Sequence, residues 1–491
     1  MKKNKGHKRL TIAFVSSEVA PYSKTGGLAD VAGALPKAIA RLGHNVHIFT
    51  PLHKMVDREK YKIPKRGIAL KIPLSARICR GKIVSIEKQG SLNTHFIEND
   101  GYYHRDGIYQ GADADYEDNA ERFIFFCKAT LEGIRKLKIK PDIIHVNDWQ
   151  SSLIPIYLKS VYKDDPLLGS VPSMLTIHNL GYQGRFSKRN WHLTGLDWEL
   201  FTSGKLEFHG DINFLKGGIE FADIITTVSK TYAKEIQAIE MGHGLGGVLL
   251  GRSKDIHGVL NGIDHDLWNP ETDKLIPANY SARNLEGKKV CKTKLLEEMG
   301  LQASDKPLIA VVSRLADQKG FKLLLAKIGN ILDLGTRFVL LGSGDKKMER
   351  AFMAVARKRG DDAAVRIGYD EKLAHRIEAG SDIFLMPSLY EPCGLNQMYS
   401  LAYGTAPVVR ATGGLNDTII NFNPDSGKGN GFKFTKFSSE ALYKKTMEAV
   451  ALFKTDRLKW YKMVVNGMDE DHSWAGSALV YEKLYRNAVL K

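Results

Sequence analysis

A chain of 491 residues is too long for one compact core and suits two domains of about 200–250 residues each. Hydrophobic residues make up 43% and charged residues 26%, an ordinary globular mixture, and no apolar run approaches the roughly 20 residues that cross a bilayer, so no membrane partner is expected. The net charge of +16 reads either as an anionic partner or as a solvated basic surface; the lysines are scattered and no recognition motif accompanies them, which argues against nucleic acid, and a small phosphorylated substrate needs only a few of these charges.

The chain opens on a basic tail (Lys2, Lys3, Lys5, Lys8, Arg9), and the apolar stretch behind it, residues 10–15, is too short for a signal-peptide core. It reads as a first β-strand, and a cytoplasmic location is expected. Val31, Leu35, Ile39 and Leu42 then recur at helical spacing, with Gly43 placed to end the helix. Further strands are predicted at 45–49, 142–146, 173–178 and 223–228, as the continuous apolar runs of buried parallel strands. The second half repeats the pattern at 307–312, 337–341, 364–367, 382–386 and 406–409. Two α/β units in series predict two Rossmann-like, doubly wound domains facing a cleft, with ligands beyond the carboxyl ends of the strands. The polar stretch 269–294 reads as loop and helix after the crossover, which places the hinge near Ile256, with domains at 1–256 and 257–470. The amphipathic segment after Trp474 is suited to packing back on the first domain.

Four cysteines (Cys79, Cys127, Cys291, Cys393) stand far apart, with no CxxC pair and no histidine at metal spacing. Neither a disulfide framework nor a zinc site is expected.

Three motifs fall at predicted strand ends. Lys24-Thr25-Gly26-Gly27-Leu28 opens a helix: the glycines let amides approach an anion, the helix start favours negative charge, and Lys24 adds a cation. As a bare pattern it is equally a tight turn, and it is not a Walker A sequence. Ser313-Arg314-Leu315-Ala316-Asp317-Gln318-Lys319-Gly320 follows the first strand of the second half. Arg314 offers a fork to a diphosphate and Lys319 a compact charge; the alternative is an exposed basic loop. Tyr390-Glu391-Pro392-Cys393-Gly394-Leu395 and Thr412-Gly413-Gly414-Leu415 follow later strands. There a carboxylate can grip sugar hydroxyls and a second glycine pair offers amides, unless Glu391 is a structural loop residue.

Taken together with Ser17-Glu18-Val19-Ala20-Pro21, Thr176-Ile177-His178-Asn179 and Leu260-Asn261-Gly262-Ile263-Asp264, these motifs closely resemble bacterial glycogen synthases and plant starch synthases, glycosyltransferase family 5, in order and spacing from about Leu10 to Tyr485. The resemblance implies the two-domain GT-B fold, with a C-terminal helix, 471–491, completing the first domain. It implies retaining transfer of glucose from ADP-glucose to the non-reducing end of an α-1,4-glucan such as glycogen, with no metal and no other cofactor. By the same resemblance Lys24, Gly26, Gly27, Arg314 and Lys319 meet the diphosphate, and His178 and Asn261 the glucose near its 6-hydroxyl. Glu391, with the amides of Cys393, Gly394 and Leu395, holds the other hydroxyls; Thr412, Gly413 and Gly414 add a helix start. Tyr369 stacks on the base, while Tyr103 and Asp148 line the donor and acceptor sides.

Two departures stand out. Many related retaining transferases carry a second Glu eight residues after the first, where this chain has Tyr399, and the C-terminal signature begins with His472 instead of Phe. With no carboxylate placed as a nucleophile, a front-face reaction is expected, in which the departing phosphate helps take the acceptor proton. A thiol in the Cys393 loop is a candidate for oxidation sensitivity. The rivals are another retaining GT-B transferase, a phosphorylase and a catalytically silent paralogue. The motifs leave open ADP-glucose against UDP-glucose, acceptor length, regulation and oligomeric state.

Overall fold

The computed structural model describes residues 8–86, 90–111 and 114–490; of the basic tail only Lys8 and Arg9 fall within them. The chain divides into two compact units, one comprising Met1–Val228, Ala233–Leu260 and Trp474–Lys491, the other Ser229–Tyr232 and Asn261–Ser473.

The first unit is built on nine strands: β1 (Thr11–Val15), β2 (Asn45–Pro51), β3 (Ile68–Leu74), β4 (Arg77–Ser85), β5 (Leu92–Glu98), β6 (Ile143–Asn147), β7 (Ser173–Ile177), then, after a small antiparallel sheet of β8 (Arg185–Ser187), β9 (Glu207–Phe208) and β10 (Asp211–Asn213), β11 (Ile224–Thr227) and β12 (Ile256–Gly258). Their order in the sheet is β12-β11-β7-β6-β1-β2-β5-β4-β3. All pairings are parallel except those of β3 with β4 and β4 with β5. The helix Gly27–Arg41 covers one face, where Val31, Leu35 and Ile39 are buried against Phe14, Val46 and Ile143. The helix Trp474–Leu490 completes the same core with Trp474, Ala478, Tyr481 and Tyr485. The Tyr485 hydroxyl lies 2.8 Å from His145 Nδ1 within β6, so this helix is tied to the sheet by a polar contact as well as by apolar burial.

Ile256, where the sequence places the hinge, begins the edge strand β12, paired with β11 at Ile225. The division falls four residues later, after Leu260. A three-residue edge strand carries too short an apolar run to be told from a loop by pattern alone.

The second unit holds β13 (Leu308–Val312), β14 (Arg337–Gly342), β15 (Ala363–Ile367), β16 (Ile383–Met386), β17 (Ala406–Arg410) and β18 (Phe432–Phe434), all parallel, in the order β15-β14-β13-β16-β17-β18. The chain winds outward from β13 in one direction, then returns to β16 and winds outward in the other. The carboxyl ends of β13 and β16 therefore flank the point of reversal, where doubly wound sheets leave a crevice for ligands. Ile309, Val311, Leu340, Leu385 and Val408 build one side of the core, with Phe321, Phe352 and Trp460 from the covering helices.

Candidate functional site

In the second unit the loops after β13 and β16 are pinned together. The Leu389 N–H donates to the Gln318 carbonyl at 2.8 Å, and Gln318 Nε2 donates to the Tyr390 carbonyl at 3.3 Å. Gly320 permits this approach: its φ is +70°, and a Cβ there would lie 2.0 Å from the carbonyl oxygen of Pro387. The outcome is that Lys319 Nζ reaches both oxygens of Glu391, at 2.9 and 2.7 Å, while Ser388 Oγ donates to Oε2 at 2.9 Å. Arg314 stands exposed on the same loop, with no carboxylate paired to it among the described residues. Two cations and one buried carboxylate thus converge at the reversal point, one cation committed to the carboxylate and one open to an anion.

Around this cluster the sequence-predicted residues divide. Asn261 is buried, and no protein group among the described residues bonds its Oδ1. A buried oxygen left so costs about 1–3 kcal/mol, which a ligand hydroxyl recovers. Tyr369 follows β15 and is 77% exposed. Cys393 is buried beside the Asn261 N–H, and burial pushes its thiol up to about 12, so it is a protonated packing residue; the expected oxidation sensitivity has no thiolate behind it. Gly394 has φ +72°, and Leu395 caps the helix Asn396–Ala402.

The second glycine pair serves a different end from the one expected. The Gly414 N–H donates to the carbonyls of Glu391 and Pro392, at 3.2 and 3.1 Å, and is not available to an anion. A Cβ on Gly413 would lie 1.9 Å from the Glu391 oxygen. Thr412, buried at the helix start, and the two glycines let the backbone of the Glu391 loop be held at contact distance.

In the first unit, β1 and β6 flank the reversal point of the larger sheet, and the motif residues gather there. Glu18, which the sequence motif includes without assigning a task, is buried and fills the glycine loop: it accepts the N–H of Thr25 at 2.6 Å and of Gly26 at 3.2 Å, and the Tyr109 hydroxyl at 2.8 Å. The Gly26 amide, expected to meet a diphosphate, is thereby taken by a carboxylate of the same loop. Gly27 remains exposed as the first residue of its helix, and Lys24 Nζ lies 2.6 Å from Asp30.

Asp148 follows β6 with φ +54°, and accepts the N–H of His178, which follows β7, at 2.7 Å. Burial pushes the Asp148 carboxyl up to about 7 and the His178 imidazole down to about 3. His178 is therefore neutral at physiological pH. Its Nε2 lies 2.9 Å from Oδ1 of Asn147, a residue the sequence reading did not single out.

Tyr103 requires correction. Its side chain is fully buried, its ring packs near His53 and Phe125, and its hydroxyl donates to the Arg122 carbonyl at 3.0 Å, so it is a core residue with no face for a ligand. Tyr399, standing where related transferases have a second Glu, stacks on Trp268 with centroids 3.9 Å apart, and His375 covers the other face of that indole at 3.7 Å.

Comparison with known proteins adds the following. The sequence family described as "Starch synthase catalytic domain" matches residues 11–251, and that described as "Glycosyl transferases group 1" matches residues 296–460. A glycogen synthase from Koribacter versatilis is 47% identical over 477 residues, covering 97% of this chain and 98% of its own. Another from Thermotoga maritima is 45% identical over 488 residues, covering 98% and 99%. Among solved structures, the catalytic domain of starch synthase IV from Arabidopsis thaliana, bound to ADP and acarbose, aligns over 99% of this chain and 100% of that one, with a TM-score of 0.91 and 34% identity. Sucrose-phosphate synthase from Thermosynechococcus elongatus aligns with a TM-score of 0.59 and 18% identity, a likeness of fold.

Proposed function

The chain belongs to the glycogen synthase and starch synthase family of glucosyltransferases with the GT-B fold, and from that premise we propose that it transfers glucose from ADP-glucose to the non-reducing end of an α-1,4-glucan, with retention at the anomeric carbon, without a metal, in the cytoplasm. The observation that carries this reading is the Lys319–Glu391 pair beside Arg314, which has no paired carboxylate among the described residues, at the reversal point of the second unit.

As the bond to the diphosphate breaks, negative charge grows on the departing phosphate oxygen. Arg314 and Lys319 stabilise it, the forked guanidinium binding two oxygens and the ammonium one. Glu391 holds Lys319 in place and accepts a hydrogen bond from a sugar hydroxyl, while Asn261 Oδ1 accepts one from another hydroxyl. Tyr369 stacks on the base. Taken by itself, the first unit offers Lys24 and the exposed helix start at Gly27 to a phosphate, and the neutral His178, with Asp148, to a sugar. The acceptor hydroxyl attacks the anomeric carbon on the face from which the diphosphate departs, and the departing phosphate takes its proton, which preserves the anomeric configuration.

One assay tests the reading: purified protein with labelled ADP-glucose or UDP-glucose, with and without glycogen, with chelator and no added metal. Label is expected in glycogen from ADP-glucose in the presence of chelator, and released only by an α-1,4-specific hydrolase. Loss of incorporation with chelator, or release as free glucose, refutes it.

A further inference from the structure

Asn147, the last residue of β6, is fully buried. Its Nδ2 donates to the carbonyl of Val15 at 3.0 Å, and a carbonyl oxygen only accepts, so the amide cannot be turned over without setting two oxygens against each other. The atom facing His178 Nε2 at 2.9 Å is therefore Oδ1, which also only accepts. Nε2 must then carry a proton. Because burial keeps the ring neutral, that proton is its only one, and Nδ1 is left with a lone pair. No protein group among the described residues donates to Nδ1.

The surrounding backbone allows little slack. The Asn147 N–H donates to Ser151 Oγ at 2.8 Å, and that hydroxyl donates back to the Asn147 carbonyl at 2.8 Å. The His178 N–H is held by Asp148 at 2.7 Å. Both partners of the Asn147–His178 contact are thus fixed at their main chains as well as at their side chains.

We propose that Asn147 is a positioning residue that locks His178 as the Nε2-protonated tautomer, so that Nδ1 is an obligate acceptor and selects a donor sugar with a free hydroxyl at the position it faces. This rests on the reading above that His178 meets glucose near its 6-hydroxyl. A sugar lacking that hydroxyl leaves Nδ1 unsatisfied, and a sugar with a carboxylate there sets a second lone pair against it.

The test is a two-bond ¹H–¹⁵N spectrum of the full-length protein labelled with ¹⁵N-histidine, in which His178→Gln identifies the resonance by its loss. The wild-type ring is expected as the Nε2-H tautomer from about pH 8 to about pH 5, well below the usual imidazole titration. Asn147→Ala is expected to show a mixture of tautomers. A wild-type Nδ1-H tautomer, an imidazolium near neutral pH, or an unchanged tautomer in Asn147→Ala overturns the proposal.

A second reading compares kcat/KM for ADP-glucose and ADP-6-deoxyglucose. The preference is expected to be at least about a hundredfold in wild type and to fall about tenfold in Asn147→Ala, the value of one hydrogen bond. An equal preference in both proteins overturns the selectivity. If neither donor is turned over, the substrate reading has failed and the spectrum alone decides the tautomer.

Discussion

Lys319 sets its ammonium 2.9 and 2.7 Å from the two carboxylate oxygens of Glu391, across 72 residues of sequence. Lys319→Ala is expected to lower kcat by about 10²–10³, as for loss of one group that stabilises developing charge. It also strands a buried carboxylate, at a cost of about 3–5 kcal/mol. Adding Glu391→Gln to Lys319→Ala should restore most of the melting temperature and none of the activity. Thermal melts and initial rates on the three proteins decide it, and a double variant that regains activity refutes the charge assignment.

Asp148 sets a pH dependence. Its folded carboxyl titrates near about 7, above its unfolded value, so the folded state binds the extra proton. The stability this confers is full below about pH 4 and is lost as pH rises through about 7, on the order of 4 kcal/mol in all. Asp148→Asn keeps the shape, and Asn tolerates the positive φ found here. The variant should therefore melt higher than wild type at pH 8 and lose that advantage by about pH 4. Equal pH slopes in the two proteins contradict the assignment.

Gly320→Ala drives a Cβ against the Pro387 carbonyl and should part the loops that bring Lys319 to Glu391. An activity loss of at least about tenfold with a melting temperature lowered by several degrees is expected. Gly329→Ala is the control: it lies inside the helix Ile328–Asp333 with nothing within 4 Å of the added carbon, and should be stabilising by about 0.5–1 kcal/mol with activity unchanged.

Tyr369→Ala removes an exposed ring and should leave the melting temperature unaltered. KM for the nucleotide sugar should rise about tenfold, equivalent to about 1.4 kcal/mol of stacking, with kcat little changed. A fall in kcat at constant KM points instead to a role in the chemistry.

The strands carrying the site were legible because parallel strands buried on both faces are apolar throughout: β13 and β16 begin within one residue of their expected starts. The pair β3 and β4 escaped notice because β3 alternates exposed and buried residues and β4 spreads Arg77, Arg80 and Lys82 over both of its faces. The site followed the same division. Arg314, Lys319 and Glu391 stand at strand ends whose position the pattern gives. What the pattern cannot give is the partner of an amide. Gly26 and Gly414 look alike as glycines opening helices, yet one faces Glu18 and the other the main chain of the Glu391 loop. Tyr103 misled for a related reason: the resemblance gave it a ligand to face, and its burial shows only once its long-range neighbours His53 and Arg122 are known. Asn147 acquires its task only through Val15 and His178, distant in sequence.

The helix Trp474–Leu490 gives the order of synthesis a thermodynamic consequence. On the ribosome the sheet of the first unit emerges early, but the face awaiting Trp474, Tyr481 and Tyr485 stays uncovered until residues 474–490 have been made. Nascent chains, and any product truncated before residue 474, carry that apolar surface bare and should be the forms that chaperones retain. The unit begun earlier is completed by a helix made after the second unit.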